Sequence, residues 1–313
     1  MTASSVATSD ELFASLPSGI DLCHQTFGDE GDPAILLIMG LSGPMGWWDD
    51  ELCTRLAQRG FFVIRYDNRD TGRSTKVRQR TMGRTDLVRA FLGVPPLKLG
   101  PVDLAVRAPY SISDLTGDAA GLLDALGIDA AHVVGVSMGG MIAQTLAIEQ
   151  PSRVLSLTSI MSTTGRRTVG WQDPRLIPHL LKRTRPTRDA YVQRSLESST
   201  LIGSPTYPTD PEATRLRAEI TYDRGYSASG VVRQMMAILT QPDRTAALRT
   251  LTVPTTVVHG TADRLVNPSG GRATADAIPG AELRMVEGMA HDLPPQLWDT
   301  LIAAITDTVA RTR

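Results

Sequence analysis

"HVVGVSMGGMIAQTLAI", residues 132–148, is apolar up to Gly135 and helical in character after Met138. Between the two halves stands one hydroxyl, Ser137, among glycines at 135, 139 and 140. Gly135-Val136-Ser137-Met138-Gly139 is a G-x-S-x-G pattern with a strand before it and a helix after it, the context in which such a serine is a nucleophile. A sharp strand-to-helix turn lifts the hydroxyl above the sheet and crowds the chain two positions to either side, so only glycine fits there. The new helix also points its free amides and positive dipole end at the reacting centre.

Outward from this stretch the pattern repeats. Short apolar runs recur at "AILLIMG" (34–40), "FFVIRYD" (61–67), "AHVVGVS" (131–137), "VLSLTSIM" (154–161), "TTVVHG" (255–260) and "LRMVEG" (283–288). Each has the length of a strand buried on both faces. Helical patterns lie between them, as in "WWDDELCTRLAQRG" (47–60) and "SISDLTGDAAGLLDALG" (111–127). Alternation of this kind predicts an α/β fold, a mostly parallel twisted sheet flanked by helices, with functional groups at the carboxyl ends of its strands.

Two stretches interrupt the alternation. Residues 75–110 carry a helix-like centre and several prolines; residues 165–247 are helix-like without a convincing strand. The expected organisation is an N-terminal extension at 1–19, a core at 20–164 and 248–313, and a helical cap insertion at 165–247.

A serine hydroxyl needs a general base within hydrogen-bond reach. Of the five histidines, His132 opens the strand leading to Ser137 and lies at the wrong end of the sheet. His24 is in an early strand-like segment, His179 in the cap, and His259 inside a strand, where a core or supporting role is expected. His291, in "EGMAHDLP", follows the last strand on a loop at the carboxyl edge and is the expected base. The base needs a carboxylate to hold its tautomer. Asp263, in the loop after "TTVVHG", supplies it; Asp292 is too close in sequence to His291, and Asp67 and Asp70 belong to another loop. Serine, acid, histidine is also the chain order of one hydrolase superfamily. Charge built on a carbonyl oxygen needs waiting donors. The Met138 amide is one; the Leu41 amide, in "GLSG" (40–43) after the first apolar run, is the other, although the loop lacks a common histidine.

With these residues in view, the chain resembles the α/β-hydrolase superfamily over about residues 20–312. More closely it resembles aclacinomycin methylesterase-like hydrolases, through "LLIMGLSGPMGWWDDELCTRLAQRGFFVIRYDNRDTGRST" (36–75), "AHVVGVSMGGMIAQ" (131–144) and "EGMAHDLP" (287–294). Asp70, where many superfamily members have glycine, matches that pattern. The resemblance implies hydrolysis of a carboxylic ester through Ser137, Asp263 and His291. Much of 77–108 is an insertion relative to it, and the cap differs in sequence, so the natural ester does not carry over.

The substrate pocket is expected near Trp47, Met161, Met235 and Met289; flexible, polarizable methionines suit an apolar group of varied shape. The serine argues against epoxide hydrolases and haloalkane dehalogenases, which use an aspartate at this elbow. Cofactor-free perhydrolase, C–C hydrolase and proline iminopeptidase chemistries keep the same triad and stay open, as does a non-catalytic ligand receptor.

Composition limits the rest. A formal net charge of -1 with scattered Lys and Arg gives no argument for nucleic acid, and the partner expected is a small-molecule ester. Cys23 and Cys53 form no disulfide framework, and no metal or cofactor is expected because neither a phosphate loop nor ligand spacing occurs. No apolar run reaches the ~18 residues of a membrane span. The N-terminus shows no apolar signal segment, so a cytoplasmic protein is expected.

Overall fold

The computed structural model describes residues 6–78, 83–93, 98–99, 102–103, 108–181, 185 and 187–312. Eight strands form one sheet: β1 (Leu12–Ser15), β2 (Asp21–Phe27), β3 (Ala34–Ile38), β4 (Phe62–Tyr66), β5 (Ala131–Val136), β6 (Val154–Ile160), β7 (Thr255–Gly260) and β8 (Glu282–Val286). Their spatial order is β1-β2-β4-β3-β5-β6-β7-β8. Pairing is parallel from β4 to β8 and antiparallel for β1–β2 and β2–β4. Every residue of β3, β4, β5 and β7 is buried, which is why these strands read as continuous apolar runs and not as alternating ones.

The described helices are α1 (Asp50–Ala57), α2 (Arg84–Leu92), α3 (Ile112–Ala125), α4 (Met138–Glu149), α5 (Ile177–Leu181), α6 (Arg188–Ile202), α7 (Pro211–Asp223), α8 (Ala228–Thr240), α9 (Thr245–Leu248), α10 (Ser269–Ala277) and α11 (Trp298–Ala310). Their starts follow local chemistry. The Ser111 hydroxyl accepts from the Asp114 amide at 3.1 Å while the Asp114 carboxylate accepts from the Ser111 amide at 2.7 Å, a reciprocal cap on α3. Two apolar layers sandwich the sheet. On one face Leu36, Ile64, Val133 and Leu157 meet Leu115 and Leu122 of α3 and Ile142 and Leu146 of α4. On the other, Leu37, Val63, Val134 and Val258 meet Leu52 and Leu56 of α1 and Leu301 and Ile305 of α11. Each such fully buried side chain is worth about 1.5–3 kcal/mol over an exposed one.

The chain reverses its direction of travel across the sheet at β3. From β3 it passes to β4 on one side, and the next strand, β5, pairs on the other, with Ile38 opposite Gly135. The carboxyl ends of β3 and β5 thus open side by side into the crevice where α/β sheets bind their ligands.

One sequence expectation changes. Within the expected extension at 1–19, residues 12–16 belong to the core: β1 pairs with β2, and Ala14 and Leu16 join the apolar layer. A four-residue edge strand is too short to show alternation, so its sequence carries little strand signal. In the 75–110 stretch, the helix-like centre is α2, and Lys98–Leu99 pairs with Val102–Asp103. Residues 79–82, 94–97, 100–101 and 104–107 of it lie outside the described residues.

Between β6 and β7 the described elements are helical. α8 is fastened to the loop after β4 by a buried bidentate pair, Arg233 Nε and Nη2 to Asp70 at 2.8 and 2.6 Å. Asp70 also accepts from the Tyr110 hydroxyl at 2.8 Å and the Val77 amide at 2.9 Å. Removing one partner leaves a buried charge uncompensated. Arg233→Met is therefore expected to destabilise the protein by about 3–5 kcal/mol in urea unfolding, far more than loss of an exposed pair.

Candidate active site

Ser137 stands between β5 and α4 with φ 56° and ψ −117°, a conformation that costs a residue bearing a Cβ about 1–3 kcal/mol. The surroundings hold it there. Its amide donates to the Ile160 carbonyl at 2.9 Å, and its own carbonyl accepts from the Gly140 amide at 2.9 Å and the Ser162 hydroxyl at 2.8 Å. A Cβ on Gly135 would collide with the Gly139 carbonyl, and one on Gly139 with the Ile38 carbonyl. Those contacts are the physical content of the glycine spacing in the motif.

The structure brings the three residues chosen from sequence together. His291 Nε2 lies 3.0 Å from Ser137 Oγ, and His291 Nδ1 lies 2.8 Å from Asp263 Oδ2. With Nδ1–H donating to the carboxylate, Nε2 presents its lone pair to the hydroxyl. Asp263 is buried, and its other oxygen accepts from the Leu265 and Val266 amides, each at 2.9 Å. Burial pushes this carboxyl up, but the His291 charge and hydrogen bonds from His259 and His291 outweigh it and hold it well below the usual carboxylate range.

The remaining histidines fall where the sequence placed them. His259 is buried in β7, bonded to the Val266 carbonyl at 2.8 Å and 3.4 Å from Asp263. It braces the acid loop. His132 bonds Ser156, and His179 of α5 bonds Ser198 of α6. His24 is buried in β2, and burial lowers its pKa.

The end of α6 and the segment after it supply contacts that sequence reading missed. The His291 amide donates to the Ile202 carbonyl at 2.9 Å, at the end of α6. The Ser204 hydroxyl accepts from the Ala290 amide at 2.8 Å and donates to the Asp292 carboxylate, which also accepts from the Ser204 amide. Nothing in "IGSPT" (202–206) signals this, because the partner loop is more than eighty residues away in the chain.

The loop after β3 passes directly over the serine: a Cβ on Gly40 would meet Ser137 Cβ at 3.1 Å. Among the described residues neither the Leu41 nor the Met138 amide donates to a protein acceptor. The loop is tied down by Asn68 Nδ2 to the Met39 carbonyl at 2.9 Å and by the Met45 amide to Asp67 at 2.6 Å.

The four pocket expectations divide. Trp47 is half-buried on this loop, its indole N–H donating to Thr221 of α7 at 3.0 Å, with the Arg217 guanidinium 5.5 Å from its ring. Met235 of α8 is also half-buried. Met161 and Met289 are instead closed inside the apolar layer with Met39 and Trp48, so they pack the core and present no surface to a substrate. An apolar residue beside a site loop looks the same in sequence whether it faces the cavity or the core behind it.

A groove of about 510 Å³ between Glu11, Arg73, Ile220 and Arg224 lies apart from these residues. Its guanidiniums are already paired with Glu11 and Asp67. Among the described residues there is no cluster of three His, Cys, Asp or Glu fit to hold a metal, and no helix is long and apolar enough to cross a membrane.

Residues 33–295 match the family model of the alpha/beta hydrolase fold. Rhodomycin D methylesterase of Streptomyces sp. (strain C5) is 30% identical over 307 residues, 91% of this chain and 94% of that protein. The enzyme of the same name from Streptomyces peucetius is 29% identical over the same shares. Among solved structures, the enol-lactonase from Burkholderia xenovorans LB400 superposes with a TM-score of 0.73 at 21% identity, covering 96% of this chain and 100% of that one. The 2-hydroxy-6-oxo-6-phenylhexa-2,4-dienoate hydrolase from Rhodococcus sp. strain RHA1 gives 0.71 at 19% identity, covering 97% and 99%. The structural likenesses speak to the fold; the family match and the methylesterase likeness carry the assignment further. The chain is a hydrolase and belongs to the alpha/beta hydrolase fold family.

Proposed function

We propose that the protein hydrolyses a carboxylic ester through an acyl-enzyme on Ser137. The observation that carries this reading is the continuous chain Ser137 Oγ, His291, Asp263, at 3.0 and 2.8 Å. His291 Nε2 takes the hydroxyl proton as Oγ adds to the ester carbonyl. The oxyanion forms under the Leu41 and Met138 amides, beside the positive end of α4. Asp263 stabilises the imidazolium. That imidazolium then protonates the departing alcohol, and water repeats the cycle to release the acid. Residues 165–247 act as a cap that shapes the acyl and alcohol sites. The methylesterase relatives support a methyl ester, hence a small leaving group, as the class to test first.

Labelling with a fluorophosphonate tests the reactive serine, with mass spectrometry to locate the adduct. One adduct, at Ser137, is expected. An ester panel varying acyl and alcohol size independently, run beside prolyl arylamides and peroxide-dependent halogenation, then tests the reaction. Faster turnover of an amide or of peroxide than of every ester would overturn the ester assignment.

A further inference from the structure

We infer that Gln234, on cap helix α8, is a positioning residue for the oxyanion loop. This rests on the reading of Leu41 as an oxyanion donor and extends it to the group that holds the donor in place. Gln234 has no solvent exposure, and its amide is used on both sides. Oε1 accepts from the Ser42 amide at 2.8 Å, while Nε2 donates to the Arg69 carbonyl at 2.8 Å and to Thr71 Oγ1 at 2.9 Å. Turning the amide over would set Nε2 against an N–H and Oε1 against a carbonyl, so the orientation is determined by its partners. One side chain therefore pins the loop after β3 to the loop after β4, and the Arg233–Asp70 pair next to it fixes where α8 sits.

The restraint falls on the backbone that matters. Ser42 has φ 58°, a left-handed conformation that a residue with a Cβ keeps only when held. The hold is the bond from its amide to Gln234. Without that acceptor the turn closed by the Gly43 amide on the Gly40 carbonyl relaxes to relieve φ at Ser42, and the Leu41 amide inside that turn shifts relative to Ser137. Catalysis by preorganised donors is sensitive to such displacement because the donor must already face the place where charge develops. The substrate's ground-state contacts with the cap are much less affected. The cap is thereby a structural part of the electrophilic half of the site as well as its cover.

The test is Gln234→Met, which keeps length and helix propensity and removes all three side-chain hydrogen bonds. The expected result is a fall in kcat of about 10–100-fold with KM within about three-fold, since the lost interaction belongs to the transition state. Affinity for a trifluoromethyl ketone, whose oxygen becomes an alkoxide when Ser137 adds to it, falls in parallel. Fluorophosphonate labelling is slower but reaches the same stoichiometry per folded enzyme. A merely structural role predicts lower stability and a smaller labelled fraction with normal kcat per labelled site, and that result overturns the inference; so does an unchanged kcat. Should Gln234→Met fail to fold, Thr71→Val decides the matter. It removes one of the two anchors of Nε2, and a several-fold fall in kcat at constant KM is expected, with no change overturning the proposal. Ser137→Ala run alongside separates the two readings: if it retains ester turnover, the serine mechanism fails, whatever Gln234 does.

Discussion

Replacing Ser137 with alanine is expected to lower kcat/KM for any hydrolysed ester by about 10⁵–10⁶-fold and to abolish fluorophosphonate labelling, while thermal unfolding barely moves. The serine side chain's described bond is to His291, and alanine carries the same Cβ into the same φ of 56°, so the backbone strain is unchanged. Stability can then be read separately from chemistry. Ser137→Gly supplies the complementary measurement. Glycine meets no penalty at positive φ, so this variant is expected to be the more stable of the two by about 1 kcal/mol despite its greater unfolded-state freedom. A large loss of stability in Ser137→Ala, or residual turnover above a hundredth of the parent, would contradict the assigned role.

Asp263→Asn is expected to cost about 10⁴-fold in kcat with little change in KM. The reason lies in the surroundings of the carboxylate. One oxygen accepts from the amides of Leu265 and Val266, so the carboxamide must put its oxygen there. Its NH₂ group then faces His291 Nδ1, which must become an acceptor. The ring proton moves to Nε2, and the lone pair that Ser137 needs is lost. The same substitution has a pH signature in stability. Asp263 binds its proton less readily in the folded chain than in the unfolded one. Its contribution is therefore fully present above the unfolded carboxylate pKa of about 3.9 and declines as the pH falls through and below it. The stability difference between parent and Asp263→Asn, followed by urea unfolding, should be largest near neutrality and shrink toward pH 3. A difference independent of pH would remove the carboxylate charge from the account.

Much of this site was legible because its parts are encoded locally. The glycines at 135 and 139 answer collisions within one strand-turn-helix unit, and the apolar runs at 34–40 and 131–137 report burial on both faces. Chain order singled out His291 and Asp263 because loops at the carboxyl ends of parallel strands converge. The elements that escaped notice have no such local signature. β1 has four residues at an edge. Met161 and Met289 differ from pocket residues only in which way they face.

Local patterning set the sheet, the strained serine and the Asp263 and His291 side chains that the fold brings beside it. All of these follow from periodicity and turn chemistry over a few residues. Tertiary structure alone decided how that machinery is held. Ser42 and Gln234 are separated by 192 positions, and Ala290 and Ser204 by 86. Polar contacts between the helices inserted after β6 and the loops of the sheet depend on how packed elements come to rest against each other, and no short window of sequence carries that distance.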